Sequence, residues 1–321
     1  MSELARIDRL LTDVETDVRK VFLDYIRRIQ SPDSLQRIAA FLEEGRIDLV
    51  TDYLSNAFAS FEQNIAAAVA KSATSEISSL ESVLIAALLA NNAFSTITTL
   101  TFVPTSNEAV RAVQDMARNL RFNIVDGERN LFPTLFSDSM GMSPQERARF
   151  FTRHVGMTLR QYQALRNYER QLRENSRRTL DRALRDPKFD EAVRSGRPLT
   201  QAQINRMVES YRRNLIASRS ETIARNEAGR MVNEGRRIGL LQALVQAQLD
   251  PGNVAKTWRS MRDKRVRATH KHGSGLDGQT VIGMDTPFVS PSGALLRYPH
   301  DPQAPFPETS NCRCFVIYSL V

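Results

Sequence analysis

Apolar residues in the first 121 positions recur at the spacing of an α-helix. Residues 4–25 carry apolar side chains in alternating steps of three and four, which is the pattern of a heptad seam. Leu10, Phe22 and Ile29 widen this stripe, so we expect the helix to pack in a bundle or against a partner chain. Further helical periodicity covers 34–44, 46–70, 76–94 and 106–121. The N-terminal region is therefore predicted to be helical.

Residues 83–103 form a stretch without charge that is about long enough to cross a bilayer. Asn91 and Asn92 lie at its midpoint, where two side-chain amides would need hydrogen-bond partners in hydrocarbon. Threonines crowd its second half. We therefore expect a buried helix followed by an extended Thr-rich piece, and no stable membrane span.

The helical pattern breaks up over 124–142, which Gly127, Pro133 and Gly141 interrupt, and we place a first boundary there. A strong helix start follows at Ser143–Glu146, where an N-cap, a first-turn Pro and a Glu three residues after the cap form a capping box. Thr158 and Thr200 begin two further helices in the same way.

The last predicted helix runs over 201–249 and would measure about 73 Å if it were unbroken. Gly229, Gly235 and Gly239 lie inside it, and each costs about 1 kcal/mol relative to Ala in a helix interior. We therefore expect a break. The other helices predicted in this part of the chain cover 158–184 and 187–196.

Beyond residue 250 the composition changes, because 7 of the 13 prolines lie in 250–321 and helical periodicity ends. Short runs typical of strands cover 256–261, 279–282, 295–298 and 315–320. The predicted fold class is α+β, with a predominantly helical N-terminal two-thirds that contains long helices and a small mixed or β-rich C-terminal module. The predicted regions are an acidic helical region for protein contacts (1–140), a basic helical region (141–252) and the C-terminal module (253–321).

Charge is distributed unevenly over a composition that is otherwise globular, with 41% apolar and 25% charged residues. The net charge is −6 over residues 1–140, +11 over 141–241 and +3 over 242–321. A basic middle predicts contact with a polyanion, although solvated helix faces with acid–base pairs one turn apart give the same composition. Few aromatic residues interrupt the arginines, which favours non-specific contact with the phosphate backbone of double-stranded DNA. The predicted DNA-binding residues are Arg173, Arg177, Arg178, Arg212 and Arg213.

The two cysteines, Cys312 and Cys314, are separated by one residue and cannot pair with each other without severe distortion, so a disulfide scaffold is excluded. Together with His270 they could bind Zn²⁺ tetrahedrally, or they could pack beside it as reduced core thiols. The Cys-x-Cys spacing lacks the usual two-residue gap and favours core thiols. We therefore expect no cofactor, and His270, Cys312 and Cys314 are the residues that a zinc ion would use.

A nucleophilic Cys–His pair is a third possibility, because Arg313 could lower the pKa of a neighbouring thiol. The sequence supplies no oxyanion donor, no paired-carboxylate signature and no phosphate-binding glycine loop to accompany it. No catalytic residues are therefore predicted.

A series of short motifs begins with Ile223–Glu227 on the long helix and ends with Asn311–Cys314, the tetrad NCRC. In order and spacing these motifs resemble the Mu F-like phage head-morphogenesis (minor head protein) family, over about residues 160–321. Asn226 stands where that family has Thr. The motif residues, to which the resemblance gives structural roles, are Arg225, Glu227, Asn233, Gly235, Trp258, Asp263, Arg267, His270, Gly278, Asn311, Cys312 and Cys314.

The resemblance implies a minor head protein of a tailed bacteriophage, without enzymatic activity, that assists head assembly and genome packaging or delivery. It implies a virion protein made in the host cytoplasm and placed inside the head near the portal. The implied partners are the portal protein, the major capsid or scaffolding protein and double-stranded DNA. The alternative function is a Cys/His- or zinc-dependent hydrolase or a delivered toxin domain.

Overall fold

The computed structural model of the chain describes residues 3–57, 62–91 and 98–321, without the side chains of Asn91 and Asp126. Long helices dominate its N-terminal part and a small antiparallel sheet module forms its C-terminus, which confirms the predicted α+β class. The helices are α1 (Glu3–Ile29), α2 (Pro32–Glu43), α3 (Ile47–Asn56), α4 (Glu62–Asn91), α5 (Asn107–Arg121), α6 (Gly127–Arg129), α7 (Phe132–Asp138), α8 (Pro144–His154), α9 (Leu159–Arg173), α10 (Asp190–Arg194), α11 (Gln201–Gln246) and α12 (Phe306–Thr309).

The chain divides into two compact units, each assembled from separate segments. Unit 1 contains residues 1–20, 61–119 and 222–321, and unit 2 contains residues 21–60 and 120–221. The two units are defined by contacts between residues, whereas the boundaries predicted at residues 140 and 252 come from changes in sequence composition. The assignment of separate functions to those three regions stays a prediction.

The apolar stripe of α1 is buried inside the chain. Ile7, Val14, Phe22 and Tyr25 are 0% exposed. Of the two environments expected for this helix, packing within the chain therefore accounts for the stripe. The outward positions, such as Asp17, are exposed and polar.

The predicted helices at 46–70 and 76–94 were wrong in their bounds, because α3 ends at Asn56 and α4 continues through residues 71–75.

By length and composition alone α4 could cross a membrane, a test that the core helices of soluble proteins also pass. It carries Glu76, which is buried and accepts a 2.7 Å hydrogen bond from Arg236 Nε of α11.

The extended Thr-rich piece predicted after this helix is described from residue 98 onward, and residues 92–97 lie outside the described part. Thr101 exchanges two hydrogen bonds with the side-chain amide of Gln246, of 3.0 and 2.7 Å. Val103 does the same with Gln242, at 2.7 and 3.1 Å. Two side chains of α11 thus take the place of a neighbouring strand.

The break expected in the long helix was wrong, because α11 is continuous from Gln201 to Gln246. Its glycines are positions of close approach. A Cβ atom on Gly239 would lie 2.6 Å from the carbonyl oxygen of Ala73 in α4, and one on Gly235 would lie 2.8 Å from that of Val69. Because Gly235 and Gly239 have no side chain, the backbones of α11 and α4 can come into contact.

The C-terminal module contains a three-stranded antiparallel sheet in the order β2-β1-β5 and a separate pair β3-β4. The strands are β1 (Val254–Arg259), β2 (Thr280–Ile282), β3 (Phe288–Val289), β4 (Leu295–Leu296) and β5 (Phe315–Leu320). The sequence predicted four of these strands to within a few residues and missed β3. In the central strand, buried Trp258 packs edge-on to Phe288.

Lys256 is the other large buried residue of β1, and its ammonium group donates three hydrogen bonds to backbone carbonyl oxygens, those of Met284, Thr286 and Arg297. Burial lowers the pKa of this group to about 8. Because the three acceptors come from the loops around β3 and β4, the cation fixes those loops to the sheet.

Two helices of unit 2, α8 and α9, begin with the predicted caps. Ser143 with Glu146 and Thr158 with Gln161 both form complete capping boxes. The helix predicted to continue to residue 184 ends at Arg173. In its core Arg219 donates a 3.1 Å hydrogen bond to Glu128, and burial raises the pKa of that carboxyl to about 7 against the opposing effect of Arg219.

His154 is the buried histidine of unit 2. Its ring lies between Phe150 and Tyr162, with ring centroids 4.7 and 5.0 Å away, and Nδ1 donates a 2.7 Å hydrogen bond to the Phe150 carbonyl oxygen. Burial lowers the pKa of His154 to about 4, although the hydrogen bond to Phe150 acts in the opposite direction.

We predict that Gly239→Ala destabilises the chain by about 1–3 kcal/mol, because overpacking against Ala73 outweighs the gain in helix propensity of about 1 kcal/mol. Urea denaturation followed by circular dichroism measures the free energy of unfolding. Val245→Ala is the control, since Val245 is 72% exposed on the same helix. A Gly239→Ala variant as stable as this control would contradict the packing role of the glycine.

We also predict that acid destabilises the folded chain partly through His154. The folded pKa lies below the unfolded value of about 6.5, so the unfolded chain binds more protons between about pH 4 and 6.5. The free energy of unfolding therefore falls as the pH falls through that window, by up to about 3 kcal/mol from this group. His154→Phe should flatten the profile measured by urea denaturation at several pH values, whereas His272→Asn at an exposed histidine should not. Equal profiles for wild type and His154→Phe would refute the assignment.

Candidate functional site

Two thiols and an imidazole meet in the C-terminal module. Cys312 and Cys314 lie on the segment that joins α12 to β5, just before the strand begins, and both are buried. The Sγ atom of each lies 3.5 Å from Nδ1 of His270. The sequence prediction that both cysteines pack beside His270 agrees with this geometry.

The segment reaches His270 through a turn in which Asn311 adopts a left-handed conformation, with φ of 53°. The amide of Cys312 donates to the carbonyl oxygen of Thr309, and the amide of Cys314 donates to the sulfur of Cys312. These two bonds fold the tetrad so that both sulfurs point at the same ring. The alternation of a strand is not what places them together.

Glu308 holds the other side of the imidazole. Its Oε2 atom lies 2.9 Å from His270 Nε2 and accepts a further 2.9 Å hydrogen bond from Thr269 Oγ1. Oε1 accepts a 2.6 Å hydrogen bond from Ser292. Because a carboxylate only accepts, Nε2 carries a proton, and Nδ1 is the nitrogen that faces the thiols.

The electrostatics of the site follow from burial and these contacts. Burial raises the pKa of Glu308, but the hydrogen bonds from Ser292 and Thr269 and the neighbouring His270 bring it below its usual value. Hydrogen bonding with Cys314 lowers the pKa of the Cys312 thiol well below its usual value, against burial and with help from His270. The same hydrogen bond, together with burial, raises the pKa of Cys314.

The long helix α11 supports the tetrad from behind. Arg225 Nη1 donates a 3.3 Å hydrogen bond to the side-chain oxygen of Asn311, and Asn226 accepts one from the Asn311 amide. Asn233 donates to the carbonyl oxygen of Cys314 at 3.4 Å. The first and last motifs of the sequence therefore touch each other. Asn226, which departs from the family pattern, makes one of the contacts.

Four other motif residues fix the loops around the cluster. Asp263 forms an ion pair with Arg313, and Arg267 donates to the carbonyl oxygen of Ser310. Gly278 has a φ of 97°, and its amide donates to the carbonyl oxygen of Trp258 at 2.9 Å. The indole of Trp258 packs edge-on to the His270 ring at 5.2 Å. Each of these contacts is structural.

The last two motif residues lie on α11, away from the thiols. Glu227 is buried and accepts a 3.3 Å hydrogen bond from Arg230, and Gly235 faces α4. The structure thus gives all the predicted motif residues a place in unit 1.

Sequence reasoning missed one residue of the site, Glu308, and assigned no role to a second, His300. Glu308 belongs to a single helical turn and no motif marks it. His300 is buried, and its Nε2 lies 2.8 Å from the carbonyl oxygen of Cys312. A Cβ atom on Gly229 of α11 would lie 2.2 Å from this nitrogen. The glycine in the helix was the available signal that a bulky group approaches there.

The predicted DNA-binding arginines differ in their surroundings. Arg212 is only 12% exposed, and it forms an ion pair with Glu209. Arg173 is exposed and forms an ion pair with Glu169. Arg177, Arg178 and Arg213 are exposed, and within the described residues they form no ion pair. These three cations thus differ from the two that have acidic partners.

The fold and the site define a class of protein: an α+β protein whose C-terminal module is organised around a buried Cys–Cys–His cluster. Residues 187–317 match the family model described as Phage Mu protein F like protein, which confirms the resemblance inferred from the motifs for this part of the chain. The match relates residues 187–317 to Mu F-like phage proteins. Searches of curated proteins and of solved structures found no match to the chain.

We predict that Glu308→Gln lowers the free energy of unfolding by about 1–3 kcal/mol, because an amide cannot accept from all three donors and leaves a buried group unpaired. Urea denaturation at pH 7 measures the loss. Asp285→Asn, at an exposed carboxylate of the same module that acts on Lys256 through its charge, should cost less. Equal stability of the two variants would show that Glu308 does not hold the imidazole.

Proposed function

We propose that the chain is a minor head protein of a tailed bacteriophage, associated with the portal inside the virion, that assists head assembly and genome packaging or delivery. The family match over residues 187–317 carries this proposal. The site adds support, because each contact of the motif residues described above is one that holds loops and helices in place. A structural module of this kind needs no substrate.

The decisive experiment uses the phage that encodes the chain. The gene is deleted and supplied in trans, and particles from both conditions are purified and compared by mass spectrometry and electron microscopy. A minor head protein is present in complemented heads in few copies relative to the major capsid protein, and its loss lowers the yield of DNA-filled infectious particles. Particles that lack the protein yet form with normal yield and infectivity would refute the proposal.

The acidic region is proposed to make the protein contacts with the portal. Asp8, Asp17, Asp33 and Asp52 are exposed, whereas the apolar stripe of α1 is buried. The contact surface is therefore the polar face, and removing α1 would unfold the chain rather than expose a binding defect. Charge reversal of exposed acidic residues is the suitable perturbation.

The basic region is proposed to contact packaged DNA without sequence preference. Residues 141–241 carry a net charge of +11, and Arg177, Arg178 and Arg213 are the predicted contacts that are exposed and form no ion pair with a described residue. Arg212 keeps its guanidinium on Glu209 and on the carbonyl oxygen of Arg153, so it serves the fold. Weak affinity suffices where DNA is concentrated.

We predict that the triple variant Arg177→Gln, Arg178→Gln and Arg213→Gln makes the negative slope of log affinity against log salt shallower, by about 0.9 for each phosphate that is no longer neutralised. The change should be the same on unrelated duplexes. Filter binding or fluorescence anisotropy over a salt series measures the slope. The matched control replaces three exposed arginines outside the basic region, Arg27, Arg46 and Arg118. If both triple variants keep the wild-type slope, or if the wild type shows no salt-dependent binding, the basic region does not bind DNA.

A Cys-dependent hydrolase or delivered toxin domain is the second candidate function. It is favoured by one observation, the chain of contacts from Cys312 Sγ through both His270 nitrogens to Glu308. Rapid alkylation of Cys312 by iodoacetamide in the native protein, with loss of a hydrolytic activity that Cys312→Ser also lacks, would establish it. Slow alkylation and no activity would leave the head protein as the function.

A further inference from the structure

Three buried donor atoms converge beneath the tetrad. His270 Nδ1, Cys312 Sγ and Cys314 Sγ all lie within 4.8 Å of one another. Each sulfur is 3.5 Å from the nitrogen. A zinc ion with Zn–S distances of about 2.3 Å and a Zn–N distance of about 2.0–2.1 Å holds sulfur and nitrogen about 3.6 Å apart in a tetrahedron. The two observed separations have the spacing of a coordination shell.

Hydrogen bonding uses only one of the two sulfur–nitrogen contacts at a time. Nε2 of His270 carries a proton that faces Glu308, so Nδ1 is left to form one hydrogen bond, with one sulfur at a time. Two sulfurs nevertheless lie at equal distance from it. A cation centred between the three atoms would satisfy all of them at once.

The surroundings match those of a metal-binding histidine. Such a histidine usually donates its second N–H to a carboxylate, which fixes the ring and strengthens the ligand, and Glu308 occupies this position at 2.9 Å. Thr269 and Ser292 hold Glu308 in turn. The positively charged side chains of Arg267 and Arg313 line the same pocket as the thiols and favour thiolates.

We propose that Cys312, Cys314 and His270 bind one Zn²⁺ ion through two thiolates and Nδ1. Among the described residues, no fourth His, Cys, Asp or Glu joins these three. The three ligands line one pocket, together with Met261, Asn311 and neighbouring residues. The fourth position therefore faces this pocket and takes water. The combination of two sulfurs and one imidazole selects zinc over magnesium or calcium.

Metal analysis of the full-length chain tests the site directly. The chain is purified without a metal-affinity tag and its zinc content is measured by mass spectrometry. Wild type should contain one zinc ion per chain, and Cys312→Ser, Cys314→Ser and His270→Asn should lose it. Glu308→Gln should weaken zinc binding about 10–100-fold. His272→Asn is the matched control, because His272 is exposed and two residues from the proposed ligand.

A second measurement keeps the test valid if the ligand variants fail to fold. Wild type is stripped of metal with a chelator and titrated with Co²⁺, which should produce sulfur-to-cobalt charge-transfer absorption and intense tetrahedral bands. Azide should then shift those bands by replacing water at the fourth position. Wild type without stoichiometric zinc and without cobalt–thiolate absorption would overturn the proposal, and so would zinc that persists in a folded variant lacking both cysteines. Unshifted bands would overturn the open fourth position.

Discussion

Unit 1 depends on the close approach of other elements to the backbone of α11. Gly235 and Gly239 admit α4, and Gly229 admits the imidazole of His300. Each glycine costs the helix about 1 kcal/mol, so the contacts that it permits must return more than that. Those contacts place the helix beside the tetrad, where Asn226 and Asn233 bond to its backbone. The cluster of thiols is therefore positioned both by the close approach that the glycines of α11 permit and by the hydrogen bonds of its asparagines.

The sequence was a good guide where local physics decides the structure. The α1 stripe and the Ser143 and Thr158 caps follow from spacing and hydrogen-bonding chemistry within one turn or a few, and the structure has them. The glycines of α11 were misread because propensity describes an isolated helix, whereas here α4 covers it. The predicted bounds of α3 and α4 were wrong because the helical periodicity of the sequence continues across the junction between them.

The two thiols and the imidazole of the candidate site were predictable from the sequence, but their geometry was not. Cys312, Cys314 and His270 were identified by their chemistry, and the spacing favoured core thiols over a metal. The proposal of a zinc site rests instead on geometry, since a left-handed turn at Asn311 brings both sulfurs to one nitrogen. Glu308 could not have been found, because a carboxylate on a single helical turn has no pattern until the fold places it against the ring.

The pairing of residues 101 and 103 with α11 joins two different periodicities. Gln242 and Gln246 are four residues apart, which is about 6 Å along a helix, and two residues of extended chain advance about 6.6 Å. The two spacings are nearly equal, so side chains one turn apart on the helix can bond to every second residue of the extended segment. A shift of one residue would turn both backbone amides away from their partners. The glutamine side chains of α11 thus set the register of this segment, because any slip would break their hydrogen bonds to its backbone.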